Sequence, residues 1–402
     1  MKILQLCKKF PFPVKDGEAI AINHLAKAMD RMGCEVTLLC MNTPKHYFRK
    51  EDLPTAYDHY QSIHVVDVDT SIKPWDAFKN LFTDASYHIE RFVSTEFSDR
   101  LAKLLKQNDF DIVQLETLYL SPYIHTIRQH SKAMVSLRAH NVEHEIWERI
   151  TSNTNFFPKK WYLQHLTKKL KAFEVNIVNQ CDVLVPITTR DLQLFESYGF
   201  NKNSVVVPIG LDKKDYQPNF DSYVEDLSIS FIGSLDWMPN LEGLKWFMEE
   251  VWDKVQTKFP DLELHIAGRN TPDWMKEMNQ PNIKVHGEVP DAEAFINDHS
   301  IMVVPLLSGS GMRAKILEGM ALGKVVITTS IGLEGIDAKH KKEVLIADTA
   351  EEFLDCIKFC YESNGALKAM GENALEFLSN TYDNMTIAKS LVEVYQSKQN
   401  IL

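Results

Sequence analysis

No stretch of this 402-residue sequence approaches the roughly 20 consecutive apolar residues that a membrane-spanning helix requires. The opening residues, MKILQLCKKFPFP, contain a short apolar run that Lys8 and Lys9 interrupt, so we expect no secretion signal. The six cysteines form no C-x-x-C pair, which argues against zinc-ribbon and thioredoxin-like sites and favours buried, reduced thiols. Together these absences predict a cytoplasmic protein.

An excess of positive charge is also missing. Lysine and arginine number 44 against 55 aspartates and glutamates, and the formal net charge of −11 argues against a polyanion binder, so we expect no nucleic-acid partner. One short basic stretch, residues 156–171, reads FFPKKWYLQHLTKKLK and interleaves lysines with aromatic residues. Two interpretations stay open: a helix with one packed and one solvated basic face, or an amphipathic helix that makes peripheral contact with a membrane.

What the sequence does contain is a regular alternation of short apolar runs with longer helical patterns, which is typical of parallel sheets covered by helices. The first such unit is a strand at 3–7, a helix at 19–32 and a strand at 35–40. The pattern restarts with a strand at 229–232, after a polar, aperiodic segment at 212–226 that we interpret as a linker. The chain length also suits two domains of roughly 200 residues better than a single core.

We therefore predict an α/β fold of two tandem Rossmann-like, doubly wound domains, residues 1–208 and 209–383. Ligands of such sheets bind at the carboxyl ends of the strands, which we expect to face a cleft between the domains. The last helix, 384–398, is a candidate for packing back onto the first domain. The first loop contains a single glycine, Gly17, instead of G-x-G-x-x-G, which disfavours a dehydrogenase.

The segment 305–323, PLLSGSGMRAKILEGMALG, predicts a strand end, a glycine loop and a helix. Glycines let the backbone approach a ligand, and the unpaired amides of a helix's first turn bind phosphate. Arg313 and Lys315 lie in that first turn, where cations are unfavourable unless an anion is bound nearby. Glu318 follows at a distance suited to accepting hydrogen bonds from ribose hydroxyls. The alternative is an ordinary surface turn and an amphipathic helix with an Arg–Glu pair.

A second candidate site lies in the sequence VSLRAHNVEHEIW. His140 stands at the carboxyl end of a predicted strand, flanked by Arg138 and Glu143, and a structural histidine is the alternative. The same letters contain H-x-x-E-H, formed by His140, Glu143 and His144, which is an inverted zinc-protease pattern. That pattern requires both imidazoles on one helical face, whereas a strand leads directly into His140, so we predict no metal site.

The segment 305–323 resembles the donor-binding signature of the retaining GT-B glycosyltransferases of family 4, in which a glycine loop runs into an E-x7-E motif. PFPVKDGEAIAINHLAKAM, residues 11–29, is similar to the family's first loop and helix, so the resemblance spans nearly the whole chain. Between these segments the matching stretches are FIGSLDWMPNLEGLKWF at 231–247, HIAGR at 265–269 and VHGEVPDAEAF at 285–295, and IGLEGI follows at 331–336.

This resemblance implies a GT-B fold and the transfer, with retention, of a sugar from a UDP- or GDP-linked donor to an acceptor hydroxyl. It implies a glycan or lipid-linked acceptor and hence a role in cell-surface polysaccharide or glycolipid assembly. The expected location is the cytoplasm or the inner face of the membrane. The resemblance implies no separate cofactor. No carboxylate pair can be assigned as nucleophile and acid, so we expect the acceptor to attack on the face that the diphosphate leaves. A nucleotide-sugar 2-epimerase and a non-catalytic scaffold are the alternatives of the same architecture, while a two-lobed solute-binding protein would normally carry an export signal.

The resemblance also assigns site residues. His140 matches the family histidine beside the reacting carbon, and Arg313, Lys315 and Glu318 complete the predicted catalytic set. The matching motifs predict these donor-binding residues: Gly17, Gly233, Ser234, Asn240, Gly268, Arg269, Val289, Ser310, Gly311, Met312 and Glu318.

Two departures from the family pattern concern the donor site. Ser310 stands where the family has the first glutamate of E-x7-E, which helps to hold the donor sugar. Ser234 and Asn240 stand where the family has the two cations that meet the diphosphate. Because a departing nucleoside diphosphate needs positive charge, we expect Arg313 and Lys315 to take over that task.

Overall fold

The computed structural model describes residues 1–14, 16–53, 57–223, 227–278, 280–309 and 311–399. The chain divides into two compact units, Met1–Gly210 together with Asn384–Leu402, and Leu211–Asp383. Each unit is built on one parallel sheet flanked by helices, so the predicted α/β class with two Rossmann-like sheets is confirmed. Among the described residues, no helix combines the length and the apolar character that crossing a membrane would require.

The first unit contains a seven-stranded sheet. Its strands are β1 Lys2–Cys7, β2 Glu35–Asn42, β3 Ser62–Asp67, β4 Ile112–Leu115, β5 Met134–Ala139, β6 Val183–Pro186 and β7 Asn203–Ser204. They lie in the order β3-β2-β1-β4-β5-β6-β7, and every neighbouring pair is parallel. The strand order reverses between β1 and β4, and such a switch point opens a crevice for ligands outside the carboxyl ends of the two strands.

The helices of the first unit pack on this sheet through their apolar faces. They are α1 Gly17–Arg31, α2 Pro74–Asn80, α3 Tyr87–Glu90, α4 Thr95–Gln107, α5 Ile124–His130, α6 Glu143–Ser152, α7 Phe157–Val178 and α8 Thr189–Ser197. Helix α4 shows the principle: Phe97, Leu101 and Leu104 recur at helical spacing and are buried in the core of the unit. Its N-cap residue is Ser94, whose hydroxyl accepts a hydrogen bond from the Phe97 amide at 3.3 Å.

The second unit contains a six-stranded sheet. Its strands are β8 Ser228–Ile232, β9 Glu263–Ala267, β10 Ile283–Gly287, β11 Ile301–Val304, β12 Val325–Thr328 and β13 Leu345–Ile346. They lie in the order β10-β9-β8-β11-β12-β13, again with parallel neighbours. The switch point of this sheet falls between β8 and β11, so the loops after these two strands are the expected ligand-binding loops of the unit.

The helices of the second unit alternate with its strands. They are α9 Met238–Trp246, α10 Asp253–Lys258, α11 Asp273–Lys276, α12 Ala292–Asn297, α13 Ala314–Ala321, α14 Ala350–Glu362 and α15 Asn364–Thr381. One π-helical turn, Phe247–Trp252, joins α9 to α10 and buries the indole of Trp252. Gly323 follows α13 with a φ of 71°, the left-handed conformation that closes a helix most easily at glycine.

The last helix of the chain, α16 (Asn384–Gln399), belongs to the first unit and packs against α1. Tyr395 is fully buried there, and its hydroxyl lies 2.8 Å from Gln114 Oε1 and 2.7 Å from Ser136 Oγ. At the start of the helix, the Asn384 amide donates to the backbone carbonyl of His24 at 2.6 Å. Hydrogen bonds as well as apolar contacts therefore connect the end of the chain to the first sheet.

The segment 212–226, interpreted from its polar composition as a linker, is part of the second unit over its described residues, 212–223. Tyr216 and Tyr223 are buried, and the Tyr223 hydroxyl donates to the backbone carbonyl of Gly323 at 2.6 Å. The linker interpretation was wrong because two tyrosines among polar residues make no periodic pattern, although each ring buries a large apolar surface.

Candidate functional site

Two loops of the second unit meet at the carboxyl ends of β8 and β9. Gly233 follows β8 and Gly268 follows β9, and a Cβ atom on Gly268 would stand 2.0 Å from the Gly233 carbonyl oxygen. A Cβ atom on Gly233 would stand 2.9 Å from both Lys315 Nζ and Asn240 Nδ2. Gly268 thus allows the two backbones to touch, and Gly233 leaves room for a cation. Four of the predicted site residues are therefore neighbours in the structure.

Lys315 reaches from the first turn of α13 to the end of β8. Its Nζ atom donates to Asn240 Oδ1 at 2.8 Å and to the backbone carbonyl of Ile232 at 3.2 Å. Burial, and to a lesser extent the charge of Arg313, lowers the pKa of Lys315 to about 7 against the opposing effect of Glu318. Because its hydrogen-bond acceptors are neutral, an anion bound nearby would favour the charged form of this lysine.

The glycine loop before α13 is folded around the side chain of Arg313. Gly309 and Gly311 have φ angles of 117° and 77°, a region that residues with a side chain rarely adopt. Arg313 Nη1 donates to the Gly311 carbonyl, and a Cβ atom on Gly309 would stand 2.9 Å from Nη2. The guanidinium therefore lies against the backbone of its own loop, with Met312 buried beside it. Ser310, which replaces the first glutamate of E-x7-E, lies outside the described residues.

Helix α13 begins without a capping side chain. Its N-cap residue is Arg313, which makes no side-chain hydrogen bond of the capping type. The amides of an uncapped first turn can donate to an anion, and the helix dipole favours negative charge at this end. Combined with the two cations Arg313 and Lys315, this arrangement is chemically suited to phosphate groups.

Glu318 lies one turn further along α13 and is partly buried. Burial raises its pKa to about 7, with a contribution from Glu293, against the lowering effect of Lys315. The charge of Glu318 in turn adds to burial in raising the pKa of Tyr216. The carboxyl group is thus present in both protonation states near neutral pH, and in either state it can accept a hydrogen bond from a hydroxyl group.

Of three further predicted donor-binding residues, Ser234 joins this group, because its backbone carbonyl accepts a hydrogen bond from Asn240 Nδ2 at 2.9 Å. The Ser234 hydroxyl donates to Asp236 Oδ1 at 2.6 Å. An acidic side chain therefore contacts Ser234, which stands where the family has a cation. Arg269 offers its backbone carbonyl to the Leu235 amide at 2.9 Å. Val289 lines a cavity of about 930 Å³ together with three histidines. The sequence match by itself did not distinguish Val289 from the positions around Lys315.

In the first unit, His140 and Glu116 meet at the carboxyl ends of β5 and β4. His140 Nε2 lies 3.0 Å from Glu116 Oε2, and both side chains are buried. The carboxylate also accepts hydrogen bonds from the amide groups of Gln5 and Gln114, and Arg138 Nη1 lies 3.4 Å from Oε2. Burial alone would raise the pKa of Glu116, but Arg138 and His140 outweigh it and lower the pKa to about 2. Glu116 is therefore a permanent carboxylate at neutral pH.

Sequence reasoning singled out His140 and missed Glu116. A signal was present, because a charged residue directly follows the apolar strand β4 beside the switch point of the sheet. Burial lowers the pKa of His140, although its hydrogen bond to Glu116 acts in the opposite direction. The imidazole is therefore mainly neutral at pH 7.

The loop between β1 and α1 contains several ion pairs. Gly17 opens α1 directly after the N-cap residue Asp16. Lys9 Nζ lies 2.7 Å from Asp16 Oδ2, and Lys8 Nζ lies 3.3 Å from Glu18 Oε2. Burial would raise the pKa of Glu18, but the two lysines outweigh it and lower the pKa to about 2. Around Gly17 the loop thus presents paired charges, unlike a glycine-rich phosphate loop.

The fold separates the residues of the H-x-x-E-H pattern. His140 contacts Glu116, whereas His144 Nδ1 lies 2.6 Å from Glu174 Oε2. Helix α6 begins only at Glu143, so the two imidazoles do not share a helical face. In the described parts of the chain, no three His, Cys, Asp or Glu side chains are arranged around a common metal position.

Glu143 adds a further titratable group at this end of the first sheet. The Tyr119 hydroxyl donates to Glu143 Oε2 at 2.9 Å. Burial raises the pKa of Glu143 to about 7, with Lys8 opposing the effect and Glu174 adding to it. The first unit thus has a buried carboxyl group that titrates near neutral pH.

Residues 156–171 comprise the N-cap residue Phe156 and the beginning of α7, and they have one packed and one exposed face. Leu163 and Leu166 are buried. Three aromatic side chains near the amino end are mostly exposed, namely Phe156 at 68%, Phe157 at 78% and Trp161 at 54%. The structure therefore shows a helix with a packed face that also leaves a group of aromatic rings in solvent.

The fold and these strand-end groups together define a class of protein. A chain with two parallel α/β units, the second with a glycine loop and two cations at a helix N-terminus, has the features of a GT-B glycosyltransferase. The chain belongs to the group 1 glycosyltransferases of family 4. The family model described as "Glycosyltransferase Family 4" matches residues 16–215, and the one described as "Glycosyl transferases group 1" matches residues 226–363. Its class of reaction is therefore glycosyl transfer.

Known proteins are similar to this chain along its whole length. A Klebsiella pneumoniae protein, described as an uncharacterized 44.6 kDa protein in the cps region, is 24% identical over 402 residues, which cover 97% of this chain and 98% of the relative. The solved structure of sucrose-phosphate synthase from Thermosynechococcus elongatus has a TM-score of 0.75 at 14% identity, with 100% of each chain covered. The structure of HepE from Anabaena in complex with UDP-glucose has a TM-score of 0.66 at 14% identity and covers 99% of this chain and 100% of that one. At these identities the solved structures show a shared fold.

Proposed function

We propose that the chain transfers a sugar, with retention of anomeric configuration, from a UDP- or GDP-linked donor to a hydroxyl group of a glycan or lipid-linked acceptor. The observation that carries the proposal is the position of Lys315. This residue lies in the first turn of the uncapped helix α13, and its Nζ atom is held by hydrogen bonds at the glycine turn after β8. A nucleoside diphosphate suits this group because its oxygens accept from amides and its charge complements the cations. HepE, which shares the fold, has been solved with UDP-glucose and supports this class of donor. The relative in a cps region supports a role in cell-surface polysaccharide assembly.

In the proposed donor complex, the diphosphate lies against the first-turn amides of α13. Lys315 neutralises its charge, and Arg313 shapes the glycine loop and adds a second cation. As the sugar departs, negative charge develops on the diphosphate, and fixed cations and amides stabilise it. Asn240 Oδ1 accepts a hydrogen bond from the Lys315 ammonium at 2.8 Å. Asn240 stands where the family has a cation that meets the diphosphate, so this contact supports the view that Lys315 supplies the positive charge there. Glu318 accepts hydrogen bonds from the ribose hydroxyls.

Retention follows, in this proposal, from attack of the acceptor hydroxyl on the face that the diphosphate leaves. The hydroxyl proton passes to the departing phosphate, so no protein nucleophile is required. Glu116 is unsuited to that role, because side-chain donors already surround its carboxylate. We assign His140 to positioning the sugar beside the reacting carbon, as its match to the family histidine implies.

Nucleotide binding tests the first part of this proposal. We expect UDP or GDP to stabilise the folded chain by RT ln(1 + [L]/Kd), about 2.7 kcal/mol at a hundredfold excess over Kd. The double variant Arg313→Ala with Lys315→Ala should bind the nucleotide at least tenfold more weakly, a loss of about 1.4 kcal/mol or more. The matched control is Lys245→Ala, which removes an exposed lysine from α9 of the same unit. Unchanged nucleotide affinity and turnover in the double variant would refute the assignment.

The competing functions give different outcomes in the same assays. A nucleotide-sugar 2-epimerase would release epimerised donor without any acceptor. A non-catalytic scaffold would bind the nucleotide without slow hydrolysis of nucleotide sugars, and the pairing of Ser234 with Asp236, where the family has a cation, is the observation that favours it. Transfer to an added glycan or lipid-linked acceptor would support the glycosyltransferase.

We also propose that the exposed start of α7 contacts the inner face of a membrane. Its aromatic rings, Phe156, Phe157 and Trp161, lie beside Lys159 and Lys160 in the sequence, and such a helix end suits an interface with anionic lipids.

Cosedimentation with vesicles of phosphatidylglycerol and phosphatidylcholine tests this surface. The double variant Phe157→Ser with Trp161→Ser should lower the bound fraction at least fivefold at low salt, because it removes the rings that would enter the interface. The control is Tyr361→Ser, which removes an exposed aromatic ring from the second unit. Failure of the unaltered protein to bind these vesicles would end the membrane proposal.

A further inference from the structure

The carboxylate of Glu116 is saturated by side-chain donors. Oε1 accepts hydrogen bonds from the amide nitrogens of Gln5 and Gln114, while Oε2 faces His140 Nε2 at 3.0 Å and Arg138 Nη1 at 3.4 Å. All five residues are buried, and Glu116 itself is 0% exposed. Four donors match the roughly four lone-pair sites of a carboxylate, so its position and its charge are both fixed.

Two buried tyrosines fix the glutamines that hold Glu116. The Tyr60 hydroxyl donates to Gln5 Oε1 at 3.0 Å, and the Tyr395 hydroxyl donates to Gln114 Oε1 at 2.8 Å. Because each amide oxygen accepts from a tyrosine, each amide nitrogen is directed at the carboxylate. Tyr395 lies on α16, so a helix from the end of the chain takes part in orienting a group that contacts His140.

The Glu116 network differs from the neighbouring pair of Glu174 and His144. Glu174 accepts hydrogen bonds from the backbone amides of Glu143 and His144 and so stabilises the start of α6. Glu116 accepts hydrogen bonds from side chains alone among the described residues, so its carboxylate orients side chains and caps no backbone element. Burying a charge in this way lowers the stability of the fold. What the buried carboxylate provides instead is a fixed orientation of the His140 ring.

The contact with a permanent carboxylate also selects one tautomer of His140. A lone pair on Nε2 would be repelled by Glu116, so Nε2 carries the proton and donates it to Oε2. Within the described residues, the other ring nitrogen, Nδ1, makes no hydrogen bond and keeps its lone pair.

We propose that Glu116 and Tyr395 are positioning residues, which hold His140 in the Nε2–H tautomer so that Nδ1 accepts a hydrogen bond from a hydroxyl group of the transferred sugar. The inference rests on the proposed function for the contact with sugar. The tautomer and its dependence on the two residues are properties of the free protein and can be measured without any ligand.

Long-range ¹H–¹⁵N NMR on the full chain with ¹⁵N-labelled histidine reads the tautomer of each ring, and His140→Gln assigns the signal. We expect the Nε2–H form at pH 7.5 in the unaltered protein. Glu116→Gln should lower its fraction and also lower the pKa of His140, because the carboxylate that favours the protonated ring is gone. Tyr395→Phe should shift the signal in the same direction to a smaller extent, and Glu116→Asp should restore part of the original spectrum.

The matched control is Tyr123→Phe. It also removes a buried hydroxyl of the first unit, which bonds to the backbone carbonyl of Phe92 at 2.8 Å and takes no part in the network around Glu116. The His140 signal should be unchanged in this variant. If Glu116→Gln does not fold, as judged by circular dichroism, then Tyr395→Phe carries the test.

Turnover separates a positioning role from a purely structural one. With the donor that the nucleotide panel identifies, Glu116→Gln should lower kcat at least tenfold and Tyr395→Phe about threefold, while the KM for the donor stays within twofold. An unchanged tautomer in both variants overturns the inference, whatever the function of the chain. A changed tautomer with full kcat overturns it as well. If the unaltered protein binds no nucleotide, the proposed function fails, and the proposed contact of Nδ1 with sugar fails with it. The NMR result would still show whether Glu116 and Tyr395 set the tautomer of His140.

Discussion

Lys315 and Glu318 stand one turn apart on α13, and burial moves the pKa of each to about 7 from opposite sides. Lys315 loses its charge and Glu318 gains one over the same pH range. With Arg313 permanently charged, the start of α13 therefore changes from net positive to about neutral as the pH rises through 7. An anionic ligand at this place stabilises the charged lysine, so its binding and the uptake of protons are linked.

This coupling predicts a pH-dependent donor affinity. Between pH 6 and pH 8 we expect the affinity for a nucleotide sugar to fall at least fivefold, because Lys315 deprotonates as pH rises through about 7. Lys315→Arg should flatten the dependence, since a guanidinium stays charged. Calorimetry with UDP-glucose or GDP-mannose measures this without the titration of a terminal phosphate. Equal affinities at both pH values in the unaltered protein would contradict a diphosphate site at Lys315.

Single residues of the candidate site could be chosen from the sequence only where a local pattern identified them. The glycine loop and the basic first turn of α13 pointed to Arg313 and Lys315 by their spacing alone. The lowered pKa of Lys315 could not be predicted, because the burial that causes it comes from the packing of other segments. Glu116 directly follows β4, but it was missed because its partner His140 follows a different strand.

At the scale of elements, α6 depends on a distant carboxylate for its start. Glu174 on α7 accepts the backbone amides of Glu143 at 2.9 Å and of His144 at 3.0 Å, while the N-cap residue Val142 offers no side-chain acceptor. Glu174 thus replaces a local cap across 30 residues of chain. The sequence predicted a strand leading into His140 but gave no indication of this contact.

Glu174→Gln should therefore destabilise the protein by about 1–3 kcal/mol, because an amide cannot accept all three hydrogen bonds of the carboxylate. Urea unfolding followed by circular dichroism measures the loss. Glu148→Gln on the same helix is the control, since its ion pair with Lys171 is exposed and should contribute less than about 1 kcal/mol. Equal effects of the two substitutions would show that α6 does not need the carboxylate.

The elements themselves were largely predictable, because alternation of apolar and helical patterns follows from the need to bury both faces of a parallel sheet. The segment 212–226 was the exception, since its two buried tyrosines pack on the second unit without any periodicity. Residues 156–171 had a helical pattern with two interpretations, and periodicity could not decide which face is covered. Contacts across the chain show that Leu163 and Leu166 lie on its packed face.

At the scale of the whole molecule, the end of the chain completes the unit that contains its beginning. Leu391 on α16 is fully buried, and Tyr395 bonds to both β4 and β5. The two units thus differ in chain continuity. The first consists of two segments of the chain, whereas the second is one continuous segment, Leu211–Asp383.

Leu391→Ala should lower the stability of the first unit by about 2–5 kcal/mol, the usual effect of removing a buried leucine side chain. Hydrogen exchange should show faster exchange of the β1 amides, with the β8 amides protected as before. Lys389→Ala, an exposed position on the same helix, is the control. Loss of protection in both sheets alike would contradict the division into two units.

The sequence by itself determined the α/β class, the family and the identity of the glycine loop, because each depends on residues that are close together in the chain. Only the tertiary structure decided that Glu116 meets His140, 24 residues away, and that Tyr395 reaches Gln114 across 281 residues. It also set the pKa values of Lys315 and Glu318 near 7. Desolvation and hydrogen bonding depend on distances between segments, and a local pattern of letters does not encode those distances.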